Sequence, residues 1–276
     1  MDMNWFETIL YGLLSGLSEF MPVSSQAHRA VMMEIFGVEG DVPLTMLFLH
    51  FGLLLALYVS TREQLRRLYR EYRFRHVARR RRRNPDMQSL AEISMIKTAV
   101  IPLLLGFLAY PFVQQWSEKL YIVALLLLFN GIILYILMHT PTGNKDSRNM
   151  SRLDSMLIGL GSALSVVPGV SRVGISSAVA VFRGADPKQA YKWSLFLCYP
   201  ALFVLIGFDF YDIVVSGLGG LGFTTLLQGI VCGLTAFIGA VSSISVMRVI
   251  AGRSGISGFS YYCWGMALFA FILYLL

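Results

Sequence analysis

The chain has 276 residues, of which 56% are hydrophobic and 14% charged, and its formal net charge is +7 at pH 7. A soluble domain carries about a quarter charged residues, so this composition excludes an ordinary soluble domain. The apolar residues run in blocks near the roughly 20 residues that a helix needs to cross a bilayer. Backbone groups in lipid must be satisfied internally, so such blocks must be helical. An all-α integral membrane protein is therefore predicted.

The first segment, residues 5–36, is apolar but does not fit a simple span. The polar, helix-breaking run SGLSEFMPVSSQAH interrupts it at residues 15–28. Asp2 and Glu7 are acidic and no small-residue cleavage site follows, which argues against a signal peptide. We therefore expect this segment to remain in the mature protein.

Basic residues set the topology of the spans that follow. The run REQLRRLYREYRFRHVARRRRR at residues 62–83 is typical of a cytoplasmic loop under the positive-inside rule. Nothing near it resembles a module that reads nucleic acid, so no nucleic-acid partner is predicted. We place a basic loop inside over residues 61–95 and a second one over residues 139–152. Six transmembrane helices are predicted, at residues 44–60, 96–113, 120–138, 190–212, 224–247 and 258–276.

A second interrupted segment covers residues 153–182 and contains LSVVPGVSRVGISS at residues 164–177. With the basic loops inside, each interrupted segment enters and leaves on one face of the membrane. Both are therefore predicted to be re-entrant helical hairpins, broken near Pro22 and Pro168. The shared layout indicates an inverted-topology repeat within a single domain, in which broken helices meet near the midplane. The domain is residues 1–276, with repeats at about 1–138 and 153–276.

Glu19 lies in the first broken segment and is the strongest candidate for function. A carboxylate inside the membrane is costly, so its default interpretation is functional; the alternative is a structural ion pair, for instance with Arg172. His28 follows Ser25 by three residues, so the two can share a helix face. This spacing allows a nucleophile–base pair or a general acid for a leaving oxygen.

The two breaks also carry helix-start signals. In the first, Pro22 precedes Ser24, and in the second, Pro168-Gly169 precedes Ser171. Free N–H groups at a helix start bind anions, so two facing starts would suit a diphosphate. Arg172 adds a planar, always-charged fork for phosphate oxygens. The alternative is ordinary capping of broken helices.

At these residues the chain resembles the bacterial undecaprenyl pyrophosphate phosphatase family, the BacA type. That family has an acidic motif running into P-V-S-S-T-G-H and a second motif P-G-x-S-R-S-G-x-T. Here residues 15–28 end in PVSSQAH, and residues 168–176 read PGVSRVGIS. A later stretch at 193–200, WSLFLCYP, is similar to the family's F-S-F-L-L-x-x-P.

The resemblance implies hydrolysis of a C55 isoprenyl pyrophosphate to the monophosphate, in a bacterial inner membrane, at a site facing outward. It implies that Glu19 holds a divalent cation, Mg²⁺ or Ca²⁺, or positions a water. Ser25 and His28 would act as nucleophile and acid or base, and which of serine, histidine or a metal-bound water attacks stays open. The implied phosphate-binding residues are Ser24, Gly169, Ser171, Arg172 and Ser176.

Five positions of the two motifs depart from the family pattern. Ser15 stands where the first motif has a second acid, and Gln26-Ala27 replaces Thr-Gly before His28. Val173 replaces the serine after the arginine, and Ser176 replaces the closing threonine. Loss of one phosphate donor of about 1.5–3 kcal/mol would weaken activity roughly ten- to a hundredfold. We therefore weigh a phosphatase against a lipid-phosphate transporter and a structural partner of envelope synthesis enzymes. The expected partners are the membrane and an isoprenyl pyrophosphate lipid, and a homodimer is left open.

Overall fold

The computed structural model describes residues 3–38, 43–74, 84–141, 143–216, 222–251 and 255–276. These residues form α-helices joined by short connections, and within them no strand is present. The helices are α1 (Trp5–Glu19), α2 (Ser25–Phe36), α3 (Pro43–Phe74), α4 (Met87–Phe107), α5 (Tyr110–Val113), α6 (Leu120–Met138), α7 (Arg152–Ala163), α8 (Arg172–Phe182), α9 (Pro187–Ser216), α10 (Phe223–Ala251) and α11 (Phe259–Leu275). The predicted all-α class is confirmed.

Within the described ranges, five helices are long and apolar enough to cross a membrane: α3, α4, α6, α9 and α10. They make the chain a multi-pass membrane protein. The apolar helix α11 has 17 residues and is about 25 Å long at 1.5 Å per residue, slightly short of a bilayer core. The sixth span therefore stays a prediction.

Both predicted helix breaks are present. Helix α1 ends at Glu19 and α2 begins at Ser25, so the first break contains Pro22. Helix α7 is followed by a 3₁₀ turn at Leu164–Val166, and α8 begins at Arg172 after the break that contains Pro168. Proline lacks a backbone donor and disfavours helix in the preceding residue, which favours an interruption at both positions.

The basic segment after the first span differs from the predicted loop. Helix α3 continues without interruption to Phe74, and α4 already begins at Met87. Arginine, leucine and glutamate are good helix formers, so residues 62–74 extend the span as helix. A helix of 32 residues is about 48 Å long, which carries its basic end well beyond a 30 Å hydrocarbon core. The remainder of the run, residues 75–83, lies outside the described residues.

The first helix of each half of the chain packs against a helix of the other half, and the two contacts correspond. Helix α1 packs along α10, and its counterpart α7 packs along α4. Both contacts are backbone-close: a Cβ at Gly16 would lie 2.1 Å from the Ala236 carbonyl oxygen, and one at Gly159 would lie 2.1 Å from that of Ala99. Small residues of this kind allow membrane helices to approach closely. The ends of α1 and α7 are thereby held deep in the bundle, next to each other's breaks.

Candidate active site

Two serine caps start the helices that follow the breaks. The Ser24 hydroxyl accepts from the Ala27 N–H at 3.4 Å, and the Ser171 hydroxyl accepts from the Gly174 N–H at 3.1 Å. The predicted helix starts are confirmed. Ser24 has φ of +62°, a left-handed conformation that costs a non-glycine residue about 1–3 kcal/mol and is concentrated at functional sites.

Asn130 on α6 ties the two breaks together. Its amide nitrogen donates to the Pro22 carbonyl at 3.0 Å, and its amide oxygen accepts from the Ser171 N–H at 2.9 Å. The Ser171 hydroxyl adds a bond to the Met21 carbonyl at 3.0 Å. Sequence reasoning assigned no role to Asn130, although a lone amide in an otherwise apolar span was the available signal. These bonds place the starts of α2 and α8 side by side.

Glu19 lies between the starts of α2 and α8, and its carboxylate accepts a hydrogen bond from one side chain of each helix. Its Oε1 accepts from Arg172 Nη1 at 3.0 Å, and its Oε2 accepts from the Ser25 hydroxyl in a very short contact. The guanidinium group of Arg172 is also held by Ser165, since its Nε donates to Ser165 Oγ at 3.1 Å. Glu19 and Arg172 are 8% and 7% exposed, so each charge depends on the other for compensation. The structure therefore brings together Glu19, Ser25 and Arg172, as the sequence predicts.

His28 and Ser25 form no hydrogen bond with each other in the part of the chain that the structure describes, so the serine–histidine pair, one of the two roles that the spacing allows, is not formed. The His28 Nδ1 lies 2.8 Å from the Ser24 carbonyl oxygen, which can only accept. Nδ1 therefore carries the proton, and Nε2 accepts from the Tyr262 hydroxyl at 2.7 Å. The three-residue spacing lets His28 and Ser25 share a helix face, but the chain turns at the break so that the Glu19 carboxylate is the hydrogen-bond partner of Ser25. Tyr262 comes from the far end of the chain, and no sequence signal pointed to it.

Gly169 and Ser176 are the two predicted phosphate-binding residues that lie apart from this cluster. The Ser176 hydroxyl donates to the Arg172 carbonyl at 2.6 Å, one turn back within α8, and is fully buried. Gly169 has φ of +104° and packs against α6, where a Cβ would lie 2.7 Å from Leu126 Cβ. Both positions support the second break, while Ser24, Ser171 and Arg172 line the space beside Glu19.

That space, the site cavity, has a volume of about 10 Å³, close to that of one water molecule. A much larger outer cavity of about 830 Å³ shares Gln26 and Arg29 in its wall. Asp209 also lines the outer cavity, and its carboxylate lies 2.6 Å from His50 Nδ1. The outer cavity is large enough to admit a diphosphate, whereas the site cavity beside Glu19 and Arg172 is not.

The residues of the site offer a divalent cation a single carboxylate. Within the part of the chain that the structure describes, no three His, Cys, Asp or Glu side chains are grouped as metal ligands. The two oxygens of Glu19 are engaged by Ser25 and Arg172, and Ser15, one turn earlier on α1, is a buried hydroxyl without a hydrogen-bond partner. Magnesium is often held by one or two carboxylates plus substrate phosphates. The residues thus fit a cation only where phosphate oxygens complete its ligand shell.

Comparison with known proteins gives a consistent result over nearly the whole chain. A family model described as "Bacitracin resistance protein BacA" matches residues 8–269. A protein of Alkaliphilus metalliredigens named "Undecaprenyl-diphosphatase" is 28% identical over 267 residues, covering 95% of this chain and 96% of that protein. A protein of the same name from Methanobrevibacter smithii is 29% identical, with 98% of each chain covered, and one from Halothermothrix orenii is 24% identical at the same coverage.

Proposed function

Because this chain belongs to the family of the bacitracin resistance protein BacA, we propose that it hydrolyses undecaprenyl pyrophosphate to undecaprenyl phosphate and phosphate. The observation that carries this proposal is the contact of Glu19 with both Ser25 and Arg172, at the point where two helix starts face each other. The relatives described above are all named as diphosphatases, which favours hydrolysis over the lipid-carrier alternative.

The diphosphate is held by the two helix starts and by arginine. The terminal phosphate takes the place of Glu19 as the partner of Arg172, whose planar fork can bind two phosphate oxygens. The N–H groups in the first turns of α2 and α8 and the Ser24 hydroxyl supply further donors at the positive ends of these helices, whereas the Ser171 N–H and hydroxyl are already bonded to Asn130 and Met21. Arg29, at the junction with the outer cavity, faces the phosphate that carries the lipid.

Release from Arg172 leaves Glu19 free to act as a base toward Ser25. Glu19 accepts the Ser25 proton as Ser25 Oγ attacks the terminal phosphorus, and the bond to the bridging oxygen breaks. Undecaprenyl phosphate leaves with the proton that Glu19 took from Ser25. The deprotonated Glu19 then takes a proton from a water molecule as that water attacks the phosphoserine, the bond from phosphorus to Ser25 Oγ breaks, and Glu19 returns the proton to Ser25 Oγ while phosphate leaves. His28 is held by Tyr262 at the start of α2, and we propose that its Nε2, which carries no proton in this tautomer, takes up and returns a proton during the reaction.

A bound Mg²⁺ or Ca²⁺, held by Glu19 and phosphate oxygens, would neutralise charge on the diphosphate. We further propose that α11 is the sixth span and that the two broken segments are re-entrant hairpins of an inverted repeat. With the basic end of α3 in the cytoplasm of a bacterium, the outer cavity opens to the outside of the inner membrane.

The test is phosphate release from an isoprenyl pyrophosphate by the purified protein in detergent, with Mg²⁺, with Ca²⁺ and with EDTA. Glu19→Gln and His28→Ala are compared with Glu118→Gln, which removes an exposed carboxylate from the wall of the outer cavity. We expect metal-dependent release that is lost in Glu19→Gln, reduced in His28→Ala and kept in Glu118→Gln. Release no faster than in a protein-free blank would overturn the proposal.

A further inference from the structure

A third cavity, the basic cavity, lies at the other end of the helix bundle and has a volume of about 230 Å³. Helices α3 and α9 line both it and the outer cavity. On α3, Met46 faces the outer cavity and Gln64 the basic cavity, 18 residues or about 27 Å along the helix. On α9, Lys192 and Asp209 are separated by about 26 Å in the same way. The two cavities are thus about one bilayer core apart.

Three of the residues that line the basic cavity are cations. Lys188, Lys192 and Arg248 line it, and its described lining residues include no carboxylate. Lys192 is paired with the buried Glu92, which Arg67 also contacts at 3.0 Å, so this cluster is already compensated. Arg248 donates to a carbonyl, that of Ser60, and so keeps its charge.

Lys188 makes no ion pair or hydrogen bond that involves its side chain among the described residues. It lies in the first turn of α9, where the helix dipole disfavours a cation. The cap residue Asp186 offers partial compensation, but its Oδ1 accepts from the Gln189 N–H. An anion inside the cavity would therefore contact Lys188 and Arg248 together with little competition.

Apart from Thr61 and Gln64, the rest of the wall is apolar or aromatic, which indicates what kind of anion fits the cavity. Leu195, Phe196 and Ala251 line the cavity beside the cations, and Tyr191 also forms part of the wall. The Tyr191 hydroxyl donates to the Phe20 carbonyl in the first helix break at 3.3 Å. A cavity with cations and apolar side chains in one wall, at the end of a membrane bundle, matches a lipid that carries a phosphate.

We propose that the basic cavity binds the phosphate headgroup of an anionic lipid in the leaflet opposite the outer cavity. This is a second lipid site, separate from the site of hydrolysis and independent of the proposed activity. The phosphate contacts Lys188 and Arg248, and the start of the lipid chain lies along Leu195 and Phe196. The shared chemistry is a lipid phosphate, whose source is either a membrane phospholipid or an isoprenyl monophosphate.

Native mass spectrometry of the full chain in neutral detergent tests this, with phosphatidylglycerol, phosphatidylcholine, farnesyl phosphate and inorganic phosphate as separate probes. The variant Lys188→Gln/Arg248→Gln removes both free charges. Arg152→Gln is the matched control, since Arg152 is an exposed cation at the start of α7, outside the cavity. We expect the double variant to bind the preferred anionic lipid at least about tenfold more weakly, and the control to bind it as the parent does.

Tighter binding of phosphatidylglycerol assigns the site to phospholipid, and tighter binding of farnesyl phosphate assigns it to an isoprenyl phosphate. Equal weakening in the double variant and the control, or binding of inorganic phosphate alone, would overturn the proposal. If the double variant fails to fold, Lys188→Gln alone replaces it, since Lys188 is exposed. For this single variant we expect lipid binding that is about threefold weaker or more. Phosphate release in phosphatidylcholine nanodiscs should be unchanged in these variants, so loss of the lipid site is distinguishable from failure of the phosphatase.

Discussion

The imidazole of His28 stacks on the ring of Tyr262, with ring centroids 5.7 Å apart and an angle of 5° between the planes. Its Nε2 accepts from the Tyr262 hydroxyl, and its Nδ1 donates to the Ser24 carbonyl. The hydroxyl thereby selects one tautomer and one ring orientation of His28. Helix α11, which contributes no other group to the proposed reaction, positions the histidine at the start of α2.

Removing the Tyr262 hydroxyl should therefore weaken catalysis without unfolding the protein. Tyr262→Phe keeps the stacked ring but removes the donor to His28 Nε2. We expect kcat to fall about tenfold with little change in KM. A fall of that size corresponds to the loss of one hydrogen bond of about 1–1.5 kcal/mol. The measurement is steady-state phosphate release. The matched control is Tyr261→Phe, since Tyr261 is exposed and packs edge-on against Trp264. Equal kcat in both variants would remove Tyr262 from any positioning role.

Ser15 is a position where activity can be gained. Its hydroxyl is buried and has no hydrogen-bond partner among the described residues, and it lies one turn before Glu19 on α1. A carboxylate there would give a divalent cation a second protein ligand. We expect Ser15→Glu to lower the Mg²⁺ concentration for half-maximal phosphate release about tenfold. Ser15→Gln has a similar size but no charge and should not do so; an identical metal dependence in the two variants would refute the assignment.

The ion pair of Glu19 and Arg172 should show strong coupling. Arg172→Gln leaves a buried carboxylate unpaired, which costs about 3–5 kcal/mol in stability. The double variant Glu19→Gln/Arg172→Gln removes both charges and should recover most of the lost apparent Tm, while phosphate release stays at the blank level. Thermal unfolding in detergent and the release assay, performed on the same preparations, measure the two effects. Additive losses of apparent Tm would show that the contact is not an ion pair in solution.

Asn130 should matter for both stability and activity. In Asn130→Leu the Pro22 carbonyl and the Ser171 N–H both lose a buried partner, which is expected to cost about 1–3 kcal/mol and to separate the two helix starts. We expect a lower apparent Tm and at least about tenfold slower phosphate release. Ser242→Ala is the control, because the Ser242 hydroxyl bonds only within its own helix, at an exposed position. A variant with normal release would mean that the breaks stay aligned without the amide.

Much of the fold could be predicted because it depends on local features. The long apolar blocks have to be helical in lipid, and the prolines at positions 22 and 168 mark breaks through their missing donors. The basic segment at residues 62–74 was predicted incorrectly as a loop, because a run of charges indicates contact with water but does not exclude helix. Positive charge identifies the end of a span without saying whether the helix continues beyond it.

The site could be predicted in part. Glu19, Ser25 and Arg172 were found because a charge in an apolar segment is costly and must have a reason, and the structure brings these three together. The spacing of Ser25 and His28 allowed either a serine–histidine pair or a general acid, because it shows which residues can meet along one helix but not which contact forms across a break. In the structure the Ser25 hydroxyl donates to Glu19. Tyr262 and Asn130 contribute through contacts 234 and 108 residues away in sequence.

The sequence by itself determined that this is a helical membrane protein with two broken segments, each with a serine cap, and that one acid and one arginine lie inside them. These properties follow from composition, proline and the cost of charge in lipid, all of which act within a few residues. The meeting of the two breaks was expected from the repeated layout, but only the tertiary structure decided that Asn130 joins them and that Glu19 bridges Ser25 to Arg172. Those contacts depend on the close approach of α1 to α10 and of α7 to α4, where glycine allows backbones to touch. Packing between distant segments selects one partner among several that the local pattern permits.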